Sequence, residues 1–167
     1  GLQNRDGQSN VFIGERSGYS NTDGINNIFI GTNAGFLQEA GEQNVFIGNR
    51  SGYSAESPWG NVFVGYEAGM NTTSGFANTF IGAGTGFSNK TGFSNTFLGI
   101  NAGYMFDGDY GNTFIGDNTG YFARKSYRNV LLGAYSGYNF SESEANSENN
   151  IRSEEHTSEL QSLSHIS

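Results

Sequence analysis

The chain has 167 residues, 26 of them glycine and none of them cysteine, so disulfide bonds and thiolate metal sites are excluded. Its formal net charge of -8 argues against nucleic acid and anionic membrane as partners, because both attract clustered Lys and Arg. Aromatic residues make up 14%, more than disordered segments carry, and no apolar run approaches the length of a transmembrane helix, so we expect no membrane insertion of this segment.

A repeat of 17 residues runs through the chain, in words such as NVFIGERSGY and NTFLGINAGY. We number the repeat positions from the Asn that opens each word and call each repeat a coil, with coil 1 starting at residue 10. The opening Asn recurs in eight coils, at Asn10, Asn27, Asn44, Asn61, Asn78, Asn95, Asn112 and Asn129.

Other repeat positions are equally regular. Position 4 is always aliphatic, positions 5 and 9 are always Gly, and position 8 is always small. Position 3 is large and apolar in every coil: Phe12, Phe29, Phe46, Phe63, Phe80, Phe97, Phe114 and Leu131. A period this short excludes helix-pair repeats, and β-forming residues between Gly and Asn favour strands and turns. The sequence therefore predicts an all-β fold, a parallel β-solenoid or β-roll with two short strands per coil and coils about 4.8 Å apart.

Stacked coils place equal repeat positions in continuous columns. The position 1 column predicts a structural ladder in which each Asn amide bonds to the amides above and below it. The alternative is that each Asn only caps its own turn.

Alternate strand residues face opposite sides, so positions 2 and 4 share one side and position 3 takes the other. The aliphatic residues can fill the interior with the Phe column outside, or the reverse. In either case both sides of the strand are apolar and need cover. An exposed column of eight large hydrophobic residues is a patch that monomers avoid, so we expect self-association.

Position 10 holds a second column of large side chains, interrupted by Met70. Its rings are candidates for facing a ligand such as a sugar, because aromatic rings stack on flat ligand faces. The alternative is a packed aromatic ladder. The candidate rings are Tyr19, Phe36, Tyr53, Phe87, Tyr104, Tyr121 and Tyr138.

Little in the repeats indicates catalysis. Both histidines, His156 and His165, follow the repeats. The repeats therefore lack the histidine that nucleophilic triads and common zinc sites use. No acid occupies one position in every coil, and the GGxGxD calcium pattern is absent. We predict no enzyme activity, no catalytic or metal residues and no cofactor. The acids instead line one turn edge, at Asp6, Asp23, Glu39, Glu42, Glu56, Asp107 and Asp109.

The words NTFIGAGTG and NTFLGINAG resemble the head repeats of trimeric autotransporter adhesins and the Asn-Thr-x-Ile-Gly repeats of bacterial and phage tail-fibre-like proteins. The resemblance spans residues 1–151. Compared with the adhesin head, this chain has a longer period and places Phe where the head usually has a small residue. The resemblance implies three chains around a common axis and a location outside the cell, on its surface or on a virion tail fibre.

Both ends of the repeat array are expected to be truncated. Gly1 and Leu2 fit positions 9 and 10, and residues 148–151, ENNI, restart the motif. Residues 152–162, RSEEHTSELQS, resemble a translated sequencing adapter. We therefore expect 1–151 to be the repeat array, 152–167 to be a disordered, non-native tail, and the chain to be a metagenomic fragment.

These observations favour a structural role, as a stiff segment of an extracellular fibre or filament that forms a stalk or an adhesin head. Its expected partner is itself, as a trimer or an end-to-end filament. The alternative is a receptor- or glycan-binding module of a surface adhesin or phage tail fibre, with surface glycans as partners.

Overall fold

The computed structural model describes residues 3–124, 126–139 and 151–153. Within them, nine strands of three residues form one parallel sheet in chain order. The strands are β1 (Val11–Ile13), β2 (Ile28–Ile30), β3 (Val45–Ile47), β4 (Val62–Val64), β5 (Thr79–Ile81), β6 (Thr96–Leu98), β7 (Thr113–Ile115), β8 (Val130–Leu132) and β9 (Ile151–Ser153).

From β1 to β8 each strand pairs with the equivalent strand of the next coil, without slippage. Phe12 lies beside Phe29, Phe29 beside Phe46, and the same register continues to Phe114 beside Leu131. The predicted parallel β-solenoid of 17-residue coils is confirmed. Eight coils at the spacing of hydrogen-bonded strands extend about 38 Å.

Each coil contains one strand of three residues. Further pairing occurs at position 16 as isolated parallel bridges, which join Gln8 to Ile25, Ile25 to Glu42, Glu42 to Trp59, and Phe93 to Tyr110. The second strand expected in each coil is thus reduced to single residues. The rest of the coil is held by backbone hydrogen bonds between turns, such as the Gly35 amide to the Ser51 carbonyl at 3.0 Å.

The Phe column lies inside the solenoid. From Phe29 to Leu131 every position 3 side chain has no exposed surface, whereas Ile13 at position 4 is 56% exposed. Of the two orientations open from sequence, the one with aliphatic residues inside and Phe outside is wrong. The available interior volume determines the orientation, because each coil interior holds one ring at position 3, a small residue at position 8 and the Asn amide at position 1.

The invariant glycines at positions 5 and 9 are required for steric reasons. Gly35, at position 9, has a φ of 58°, and a Cβ there would lie 2.6 Å from the Phe29 ring. Gly31, at position 5, has a φ of 133°, and its Cβ would lie 2.6 Å from the carbonyl carbon of Gly48 in the next coil. Position 9 thus makes room for the interior ring, and position 5 lets successive coils approach.

The last strand, β9, pairs with β8 and includes Arg152 and Ser153, the first two residues of the predicted tail. The rest of that tail, with both histidines, lies outside the described residues, as do Gly1 and Leu2. The part of the chain that the structure describes contains no helix long and apolar enough to cross a membrane.

Candidate functional site

The position 1 asparagines form a ladder through the interior. The Oδ1 atom of Asn27 accepts the backbone N–H of Asn44 at 3.0 Å and its Nδ2 group at 3.1 Å. Nδ2 of Asn44 also donates to the carbonyl of Pro58 at 2.9 Å. Both expected roles therefore coexist, because each amide joins the neighbouring coil and also satisfies a turn carbonyl. The ladder runs through Asn10, Asn27, Asn44, Asn61, Asn78, Asn95, Asn112 and Asn129.

The Phe rings of position 3 stack along the axis. The centroids of Phe46 and Phe63 are 4.9 Å apart with an interplanar angle of 8°, and Phe97 and Phe114 are 4.6 Å apart at 4°. Phe106, at position 12, meets Phe97 edge-on at 82°. These rings supply most of the buried apolar volume, since the other described core side chains are alanines and Leu131.

The position 10 rings also form stacks, half-buried at the outer surface. Tyr19, Phe36 and Tyr53 are about 5.0 Å apart and nearly parallel. Beyond Met70, Phe87 and Tyr104 begin a second stack, which continues through Tyr121 and Tyr138. Within a stack, neighbouring rings cover one another's faces. Inside each stack, the flat ring faces that a sugar would need are therefore occupied by neighbouring rings.

Burial, followed by the neighbouring Tyr104 and Tyr138, raises the pKa of Tyr121 above its ordinary value. At the exposed Tyr66, a hydrogen bond to the Glu67 carboxylate is the main cause of a raised pKa. Both tyrosines therefore remain protonated and neutral at physiological pH. The position 10 stack carries no negative charge from Tyr121 at that pH.

A third aromatic column lies at position 16 and was missed from sequence. Trp59, Phe76, Phe93, Tyr110 and Tyr127 stack with centroid separations from 4.7 to 5.9 Å. Gln8, which precedes coil 1, and Ile25 and Glu42 of coils 1 and 2 occupy this position, so the column is aromatic only in coils 3 to 7. A search for partial columns at a spacing of 17 residues would have found it.

The outer side of the sheet is uncharged and largely apolar. Positions 2 and 4 of β1 to β8 point outward and carry Val, Ile, Leu or Thr, with no charged residue. Val11, Ile13, Leu98 and Leu132 are each exposed, although they belong to residue types that are usually buried. We call this surface the strand face. It is two side chains wide and eight coils long.

Charged groups lie on the turns. The shortest ion pair among the described residues joins the exposed Arg50 to the half-buried Glu67 at 3.2 Å, and the members of the other pairs are exposed. Of the predicted acidic turn edge, Asp23, Glu39, Glu42 and Glu56 are exposed and Asp109 is half-buried. Within residues 3–124, 126–139 and 151–153, no group of three or more His, Cys, Asp or Glu side chains is placed to hold a metal ion.

Comparison with known proteins found no match for this chain among protein-family models, curated proteins or solved structures.

Proposed function

We propose that this chain is a structural segment of an extracellular fibre, a stiff stalk or adhesin head in which copies associate along the strand face. The observation that supports this most is the unbroken register from β1 to β8, which makes every coil a copy of its neighbour. In an array of this kind each coil contacts only its neighbours, and the length of the array scales with the number of coils.

Stiffness follows from the direction of the contacts. Backbone hydrogen bonds, Asn amides and stacked rings all join one coil to the next, along the axis. Bending the rod would lengthen these bonds on one side at every coil. The resemblance to adhesin heads and tail-fibre repeats supports the same role and a location outside the cell or on a virion.

Self-association through the strand face has a physical reason. Val62, Val64 and Ile81 lie in two uncharged columns that leave large apolar side chains partly in water. A second copy presents the same spacing along the axis, so like columns can interdigitate in register. The resemblance implies three chains, which would enclose all three strand faces around one axis. The position 10 and position 16 columns are not part of the strand face.

The alternative of a glycan-binding module has less support from the position 10 column. Its rings pair face to face, as at Phe36 and Tyr53 with 5.0 Å between centroids. At the inner rings of a stack, a sugar would reach only ring edges and Tyr hydroxyl groups. The stacks therefore favour packing between coils over ligand binding.

Duplicating coils tests the proposed rod. Inserting a second copy of residues 44–111 after Gly111 adds four coils without changing any column. We expect the maximum dimension, measured by small-angle X-ray scattering, to grow by about 19 Å at constant cross-section. Growth of the cross-section as well as the length would contradict a stiff rod. An insertion of two fewer residues disrupts the columns, and this matched control is expected to aggregate or unfold locally.

Two lysines on the strand face test self-association. Val64→Lys with Ile81→Lys places cations on adjacent coils of that face, while Ser74→Lys with Thr91→Lys places the same charges on exposed turns of the same coils. We expect the first pair to weaken association at least about tenfold, because like charges would be buried together. Sedimentation over a range of concentrations measures it. Monomeric wild-type protein, or equal effects of both pairs, would contradict association through this face.

A further inference from the structure

The position 16 column begins at Trp59, the single tryptophan of the chain. Phe76 covers one face of the indole ring, with 4.7 Å between centroids and an interplanar angle of 12°. On the opposite side, the backbone partner of Trp59 is Glu42, so no ring covers the second face. Trp59 is 52% exposed, an unusual fraction for this residue type.

A surface depression of about 420 Å³ lies at this first rung of the column, lined by Ala40, Gly41, Glu42, Ser57, Pro58 and Trp59. Gly41 and Pro58 of the lining are buried. The indole of Trp59 is the one aromatic group among the lining residues. The volume suits a small organic group and is open to solvent at the turn edge.

One carboxylate, that of Glu42, lines the depression, and two more belong to Glu39 and Glu56, next in sequence to the lining residues Ala40 and Ser57. Glu42 is exposed and takes part in none of the ion pairs formed by the residues that the structure describes. Glu39 and Glu56 lie on adjacent coils at position 13, joined by a backbone hydrogen bond of 2.9 Å, and both are exposed. No Lys or Arg lines the depression. The site therefore offers an aromatic face and carboxylates, which together select a cation over a neutral or anionic group.

We propose that this depression binds an alkylated ammonium group, with the cation over the free indole face of Trp59 and the Glu42 carboxylate beside it. Trp is the strongest cation–π partner among the aromatic side chains. A quaternary ammonium group is weakly hydrated, so moving it from water to the indole face costs little desolvation free energy. The site needs only coils 2 and 3 of one chain, so it does not depend on the proposed fibre or on self-association.

Choline is the probe, and Trp59 itself is the reporter, because its fluorescence arises at the site. We expect a saturable change in emission at millimolar choline. The neutral carbon analogue, in which a tert-butyl group replaces the trimethylammonium group, has the same shape and is expected to bind at least about fivefold more weakly. Equal binding of the two probes would assign the site to apolar contact alone and overturn the proposal, as would no saturable change with choline.

Variants at position 42 retain the reporter. Glu42→Phe continues the aromatic column over the indole and is expected to abolish choline binding, since the free face is then covered. Glu42→Gln removes the charge and is expected to weaken binding about threefold or more. Glu15→Gln removes an exposed carboxylate from a different turn and is expected to leave binding unchanged.

Thermal unfolding of each variant, measured by circular dichroism, checks that the solenoid is intact. Persistent choline binding by a folded Glu42→Phe variant would overturn the proposal. A loss of binding with Glu15→Gln equal to that with Glu42→Gln would do so as well, because the effect would then report net charge and not the site. Phosphocholine and trimethyl-lysine then distinguish a headgroup source from a modified protein side chain.

Discussion

Phe63→Ala is expected to lower the free energy of unfolding by about 3–5 kcal/mol, the range for removing a fully buried Phe. Phe63 has no exposed surface and stacks between Phe46 and Phe80, at 4.9 Å from each. Neither neighbour can move into the gap, because its own coil holds its backbone in register. Chemical denaturation at fixed protein concentration measures the loss.

Phe63→Leu is the matched control, since the chain itself places Leu131 at this position in coil 8 without exposing it. The cost is expected to be about 1 kcal/mol, because Leu fills most of the volume but cannot stack. If Phe63→Ala and Phe63→Leu lowered stability equally, packing of the interior column would not be what stabilises the coils.

Asn61→Ala is expected to lower the free energy of unfolding by about 3 kcal/mol, through buried polar groups left without partners. Oδ1 of Asn61 accepts the backbone N–H of Asn78 at 2.9 Å, and its Nδ2 group donates to the carbonyl of Gly75 at 2.8 Å. Alanine provides neither group, and the site is buried from water. The same denaturation experiment measures the effect.

Two further variants separate the ladder from general surface effects. Asn49→Ala changes an exposed Asn and is expected to cost less than about 0.5 kcal/mol. Asn61→Asp keeps the acceptor but sets a buried carboxylate against the Gly75 carbonyl, which raises the pKa of the new carboxyl. Its folded pKa then exceeds the unfolded value, so stability should be recovered as the pH falls and lost as the pH rises. A ladder without structural importance would give Asn61→Ala the same stability as Asn49→Ala.

The aromatic column at position 16 is a feature of the structure that the repeat pattern did not predict. In coils 3 to 7 it is aromatic, but Ile25 and Glu42 precede Trp59 in the same column. A test for residues kept in all eight coils therefore discards it. The chemistry proposed for Trp59 arises from this break, since a ring at the end of a stack has one face without a ring partner.

The repeat by itself determined the solenoid, its period and its columns. Hydrogen-bonded coils stack at one fixed spacing, so residues 17 apart, such as Asn27 and Asn44, must lie over one another whichever way the side chains point. The recurring Gly and Asn residues also predicted turns, and the structure shows close backbone and ring contacts at Gly31 and Gly35.

Only the tertiary structure decided which side of the strand is the interior. Phe29 and Ile30 are both apolar, and alternation places them on opposite sides without saying which side is enclosed. The decision depends on other parts of the coil, where Gly35 leaves space for the Phe29 ring and the carbonyl of Gly41 accepts from the Asn27 amide. Such complementarity of shape between separate segments has no period of its own, so it emerges only when the coil is closed.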